Sequence, residues 1–165
     1  MIETERLTLR KPTLADVEDP PAFLSDPRVM DFLGGVADDP GWVVQHWLDG
    51  WETYPASKFI VESSAGERIG RVGVNFYDPV GWVRSNAPDA VPELTWGLAY
   101  EHWGKGYATE AAAAVREWFG RANLISLIEP RNIRSQRVAE RLGASPGETI
   151  ELAGYGAHVV WEHPR

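Results

Sequence analysis

A strand-like run, Glu93-Leu94-Thr95-Trp96-Gly97-Leu98, leads through Trp103-Gly104-Lys105-Gly106 into an alanine-rich stretch that begins at Tyr107-Ala108. Strand, glycine loop and helix in that order make a cradle for an anion. Glycines let consecutive backbone N–H groups turn toward one point, and the helix behind them adds the positive end of its macrodipole. Backbone amides from Trp103 through Gly104, Lys105, Gly106 and Tyr107 to Ala108 would hold a phosphate or pyrophosphate whatever their side chains. A tight turn before a helix explains the same glycines without any ligand. Two nucleotide fingerprints fail here: no Ser or Thr follows Lys105, as a P-loop requires, and Thr109 stands where a dinucleotide fold needs its third glycine.

A second group lies in Pro130-Arg131-Asn132-Ile133-Arg134-Ser135-Gln136-Arg137-Val138-Ala139-Glu140-Arg141-Leu142-Gly143. Asn132 can cap a helix that Gly143 ends. On that helix Ser135, Val138, Ala139 and Leu142 share one face, so the Ser135 hydroxyl lies at the start of the buried stripe. It serves either a ligand or the backbone amides of its own first turn. Arg134, Arg137 and Arg141 fall on another face, suited equally to phosphates and to water. For proton transfer, Glu93 and His158 are candidates. The histidines show no metal spacing, no serine sits in a G-x-S-x-G elbow, and the absence of cysteine excludes disulfides, thiolate metal sites and a cysteine nucleophile.

Taken together, these motifs resemble the GNAT acetyltransferase superfamily. Its central pattern, Q/R-x-x-G-x-G/A, ends here in Gly106-Tyr107-Ala108, and Trp103-Gly104-Lys105-Gly106-Tyr107-Ala108-Thr109-Glu110-Ala111 is similar to the branch that holds the ribosomal-protein N-terminal acetyltransferases. Trp103 replaces the superfamily's usual Gln or Arg, and this branch often has Trp there. The resemblance runs from Glu5-Arg6-Leu7 to about Val160. It implies an N-acetyltransferase that moves an acetyl group from acetyl-CoA to a primary amine, on a small molecule or a protein N-terminus, by a direct ternary complex. It also implies that two strands splay apart, Glu93–Leu98 and Leu124–Ile128, with the acyl carrier in the gap. Asn132 would contact the pantetheine arm, Ser135 would sit near the sulfur, backbone amides near Gly97 or Leu98 would face the thioester carbonyl, and Glu93 would take the amine's proton through water. A tyrosine that often protonates the thiolate is missing, because Ala139 holds its position. That leaves standing a CoA-binding regulatory domain without chemistry, and a nucleotide-binding module as a third reading.

The elements that must position these residues follow from periodicity. Arg6–Arg10 alternates as a strand, Leu14–Val17 and the run to Phe32 read as short helices, and Pro40–Tyr54 reads as a helix with Val44, Trp47, Leu48 and Trp51 on one stripe. Lys58–Glu62 and Arg68–Tyr77 form a hairpin, and 78–92 is a long loop of the kind that serves a pocket. Ala108, Ala111, Ala112, Val115, Phe119 and Ala122 make one helical stripe, and Thr149–Leu152 and Val159–Glu162 are the last strands. The expected fold is α/β (α+β), a mixed, mostly antiparallel sheet of about six or seven strands with helices on both faces. At 165 residues with 44% hydrophobic content the chain suits one domain, 1–165. No apolar run is long enough for a membrane span, and the acidic start, Met1-Ile2-Glu3-Thr4-Glu5, lacks the pattern of a signal peptide, which gives a cytosolic expectation. A net charge of −8 argues against a nucleic-acid surface and mildly favours a cationic acceptor. Oligomeric state is not legible.

Overall fold

The computed structural model describes residues 1–164. They run β1 (Ile2–Glu3), β2 (Leu7–Arg10), α1 (Leu14–Glu18), α2 (Pro27–Met30), α3 (Pro40–Thr53), β3 (Lys58–Ser63), β4 (Arg68–Asp78), β5 (Val83–Arg84), β6 (Val91–Leu98), α4 (Tyr107–Phe119), β7 (Ile125–Ile128), α5 (Ile133–Arg141), β8 (Ser145–Leu152) and β9 (Gly156–Glu162). The strands join in one mixed sheet, ordered β1-β2-β3-β4-β6-β7-β9-β8, with β5 beside β4. The described strands exceed the six or seven expected because Ile2–Glu3 and Val83–Arg84 are two-residue pairings, too short to carry an alternating pattern. No helix among the described residues is long and apolar enough to cross a membrane.

Alternation along β4 and β6 assigns the two faces of the sheet. Val72, Val74 and Phe76, with Leu94, Trp96 and Leu98, pack against Ala111, Ala112 and Val115 of α4 and Val138 and Ala139 of α5 in one core cluster. The small residues of α4 let it lie close to the strands. On the opposite face Ile60 packs with Phe23, Leu24, Val44 and Trp47 from the helices before β3, and Tyr77, Ile125, Leu127, Leu152 and Val160 form a third cluster toward the other edge. Between those two apolar patches the same face carries Lys58, Arg71, Asn75, Glu93 and Thr95, placed there by the registers Lys58↔Gly73, Gly73↔Thr95, Asn75↔Glu93 and Arg71↔Gly97.

Helix ends follow local chemistry. Asp39 accepts the Trp42 N–H at 3.1 Å ahead of Pro40. The stripe of α4 stops at Phe119 rather than reaching Ala122, because Gly120 turns the chain left-handed at φ 63°. The long 78–92 segment folds back as β5, whose Arg84 pairs with Tyr77 of β4.

All strand neighbours are antiparallel except β6 and β7, which meet in parallel at a single register pair, Glu93↔Ile125. Beyond it the two strands diverge, so the ladder is open from Thr95 to Leu98. Ser126 bridges the first step of the opening by donating its hydroxyl to the Leu94 carbonyl at 2.6 Å. This is the splay that the family resemblance implies.

Candidate active site

The glycine loop is built as an open cradle. Gly104 and Gly106 hold φ of 74° and 81°, and Gly106 is the N-cap of α4 without any side-chain cap bond. The first N–H groups of α4 therefore have no capping side chain and face outward with the helix dipole behind them. A Cβ built at Gly104 would meet nothing within 4 Å, so the space in front of the loop is free for a ligand. The loop is tied from behind: Arg6 donates to the Lys105 carbonyl at 2.9 Å and to Glu110 Oε2 at 2.7 Å, while Thr4 donates to Glu110 Oε1 at 2.6 Å. Those bonds and the field of Arg6 hold the Glu110 carboxyl below its ordinary range, although its burial works in the opposite sense.

Hydrogen bonding along β6 decides which peptide groups face the gap. Ala99 N–H bonds the Ile69 carbonyl, so peptide groups at alternate positions, including Gly97, turn to β4, and those of Leu94, Trp96 and Leu98 turn to the opening. Of the amides proposed for a thioester carbonyl, Leu98 therefore has the required direction and Gly97 does not. Trp103 donates its indole N–H to the Leu98 carbonyl at 2.9 Å, and the Arg134 guanidinium lies 4.0 Å above its ring. Trp103 thus fastens the loop to the strand and to α5.

A cleft of about 240 Å³ runs past this edge, lined by Leu98, Trp103, Gly104, Gly106, Tyr107, Ala108, Asn132 and Ser135. Lys105 turns its carbonyl to Arg6 and its side chain does not line the cleft. Arg134, Arg137 and Arg141, which the helical pattern left between phosphate and solvent, all stand on the cleft wall, as does Arg28. Two further wall residues went unrecognised in the sequence: Thr109 Oγ1 and His102 Nδ1 are buried there with no partner among the described residues. A pantetheine–pyrophosphate carrier suits this lining. Only the failed third glycine had drawn attention to Thr109.

Asn132 caps α5 by accepting the Ser135 N–H at 3.2 Å, and its Nδ2 donates to Ser135 Oγ at 3.0 Å. Ala139 is fully buried against α4, so this position packs in the core and offers the cleft no acid.

A smaller opening between β6 and β7 is lined by Glu93, Thr95, Ser126, Asn132 and Ser135 together. Glu93 is only 5% exposed, and Asn75 donates to its Oε2 at 2.7 Å. His158 lines neither opening. It is buried in β9, and its Nδ1 donates to the Gly156 carbonyl at 3.0 Å. No cluster of three metal-ligating side chains occurs among the described residues.

Comparison with known proteins gives the same reading. Residues 6–145 match the sequence profile of the acetyltransferase (GNAT) domain. An uncharacterised protein of Bacillus subtilis, YkkB, is 33% identical over 162 residues, which cover 89% of this chain and 86% of that protein. The crystal structure of an acetyltransferase from Agrobacterium tumefaciens superposes with a TM-score of 0.80 at 32% identity, covering 99% of this chain and 94% of that one. An aminoglycoside acetyltransferase solved with coenzyme A shares the fold, with a TM-score of 0.78 at 20% identity over 96% of this chain and 95% of its own. A glycine cradle at the mouth of a parallel splay, within a profile spanning most of the chain, makes this protein a member of the GNAT acetyltransferase family.

Proposed function

We propose that the protein transfers the acetyl group of acetyl-CoA to the nitrogen of a primary amine in a direct ternary complex. The observation that carries this reading is that Glu93 and Ser135 line one opening between β6 and β7. The carrier supplies an activated acyl group, and everything else is done by this chain. Amides of Gly104 to Ala108 and the arginines of α5 hold its phosphates. Asn132 faces the pantetheine arm. The Leu98 N–H, pointing into the gap, stabilises the oxygen on which negative charge develops.

Glu93, fixed by Asn75, receives the amine's proton through water. Ser135 donates to the sulfur as negative charge develops there. Its oxygen already accepts from Asn132, which leaves its own proton free for that purpose. Coenzyme A in the solved aminoglycoside acetyltransferase supports the carrier by analogy of fold. The test is release of CoA thiol from acetyl-CoA in the presence of a panel of amines, with the acetylated amine identified by mass. Thiol release that no amine accelerates, by a protein that binds CoA, would leave the reading without support.

A further inference from the structure

The acceptor face of the sheet holds two buried cations that no carboxylate neutralises. Arg71 is 9% exposed and Lys58 5%, and among the described residues neither forms a salt bridge. Among the described residues the only side-chain hydrogen bond of Arg71 goes from Nη1 to Thr95 Oγ1, at 2.7 Å, which leaves most of its planar fork of donors unused there. Lys58 donates to the Asn75 side-chain oxygen and, at 3.4 Å, to the Val74 carbonyl. Arg84 donates to the same Asn75 oxygen from the exposed side. Glu93, across Asn75, is the one acid in this group.

Burial of unpaired charge costs several kcal/mol in general, so such a pair persists where something else completes it. Burial, with the charges of Arg71 and Arg84, pushes the Lys58 ammonium well below its ordinary range, and only Glu93 pulls it back. Burial likewise brings the Arg71 guanidinium down to about 10, against the field of Glu93. An anion beside them would favour the charged forms that burial disfavours.

We propose that the amine acceptor carries a carboxylate, docked on Arg71 and Lys58 while its amine faces Glu93. This rests on the acetyl-transfer reading and specifies its substrate class. Thr95, which orients Arg71, lines the opening beside Glu93. The two positions stand two residues apart on one strand, about 7 Å. Leu33, whose Cδ1 lies 2.7 Å from where a Gly97 Cβ would stand, lies over this corner and lines both openings. The local charge thus reverses the preference for cationic acceptors that the net charge of −8 implies.

The experiment compares kcat/KM with acetyl-CoA for α-, β- and γ-amino acids against their carboxamides, at equal concentrations of free amine. We expect the acids to be preferred by about 10- to 100-fold, as for loss of a charge-assisted hydrogen bond. Arg71→Met should bring that ratio toward one with no loss of melting temperature, since it removes an unpaired buried cation. Lys58→Met should do the same and serves if Arg71→Met fails to fold. Carboxamides turned over as well as acids would overturn the carboxylate site and leave acetyl transfer standing. Calorimetric titration of the same compounds into the CoA-bound protein separates the two ideas: acids that bind while carboxamides do not, with no transfer to either, would support the site and overturn the transfer reading.

Discussion

Asn132 and Ser135 engage each other through both ends of one amide. Oδ1 accepts the Ser135 N–H at 3.2 Å and Nδ2 donates to Ser135 Oγ at 3.0 Å. The helix cap therefore belongs to Asn132, and the hydroxyl is an acceptor toward it. That arrangement separates the two roles of Ser135 that the sequence left open.

Ser135→Ala keeps the backbone cap and removes the donor to the sulfur, together with the acceptor of the Asn132 Nδ2 bond. It should lower kcat by about 10- to 100-fold, as for a hydrogen bond to a charged group, with little change in acetyl-CoA affinity or melting temperature. Asn132→Ala should instead cost about 1 kcal/mol of stability, typical of a lost N-cap. Steady-state kinetics and melting of the two variants check the division. A Ser135→Ala protein whose kcat is intact and whose stability falls would return the serine to its helix.

Gly106 holds a φ of 81°, a region that a branched residue enters only at a cost of about 1–2 kcal/mol. In Gly106→Val the new side chain would also press on Arg6, whose Nη2 lies 3.4 Å from a Cβ built there, and disturb the tie that holds the loop. Calorimetry of the folded variant should show CoA affinity reduced at least tenfold, together with a lower melting temperature. Unchanged affinity would move the pyrophosphate elsewhere.

Much of this site was legible because it depends on backbone. Gly104, Gly106, Asn132 and Ser135 announce a loop and a cap by residue type alone, and the structure puts all four on one cleft. The gap-facing direction of the Leu98 peptide was not legible, because it depends on the β4–β6 register and not on residue type. The arginines of α5 were visible as a stripe, but only the position of α5 beside the glycine loop puts them on the cleft wall. Lys58 and Arg71 read as ordinary polar positions in strands. Their burial results from long-range packing that no local pattern encodes. The sheet's two shortest strands escaped because two residues cannot carry an alternating pattern.

Glu93→Gln preserves shape and the bond from Asn75, whose Nδ2 can donate to the new amide oxygen as it does to the carboxylate. If Glu93 takes the amine's proton, the rate should fall by about 10² to 10⁴. The loss should be largest for amines of high pKa and shrink for amines already neutral. Rates across amines of graded pKa, for wild type and variant, measure this. Equal activity on every amine would remove Glu93 from proton transfer.

The acid limb of stability should have two steps with separate origins. His163 is 8% exposed, and its Nε2–H donates to Ser126 Oγ at 2.9 Å while that hydroxyl donates to the Leu94 carbonyl. Burial, with Arg116 nearby, brings its imidazole down to about 4 from an ordinary 6.5. The unfolded chain then binds the extra proton first, so the stability from neutral His163 is complete above about pH 6.5 and is lost as pH falls toward 4. Integrated over that window it amounts to about 3 kcal/mol. Asp16 acts lower: its bonds to Arg10, at 2.7 and 2.9 Å, hold its carboxyl far below the usual carboxylate range, against its burial. The stability from Asp16 is complete above about pH 4, its unfolded pKa, and is lost only below that. Chemical denaturation at stepped pH should therefore show a flatter slope between pH 4 and 6.5 in His163→Gln, which keeps an N–H for Ser126. Asp16→Asn should lower stability by a constant amount across that window, leaving its slope unchanged, and should flatten the pH dependence below it. A wild-type stability that is level from pH 6.5 to 4 would mean that His163 is protonated in the folded protein, and that the Ser126 bridge across the splay does not require its neutral form.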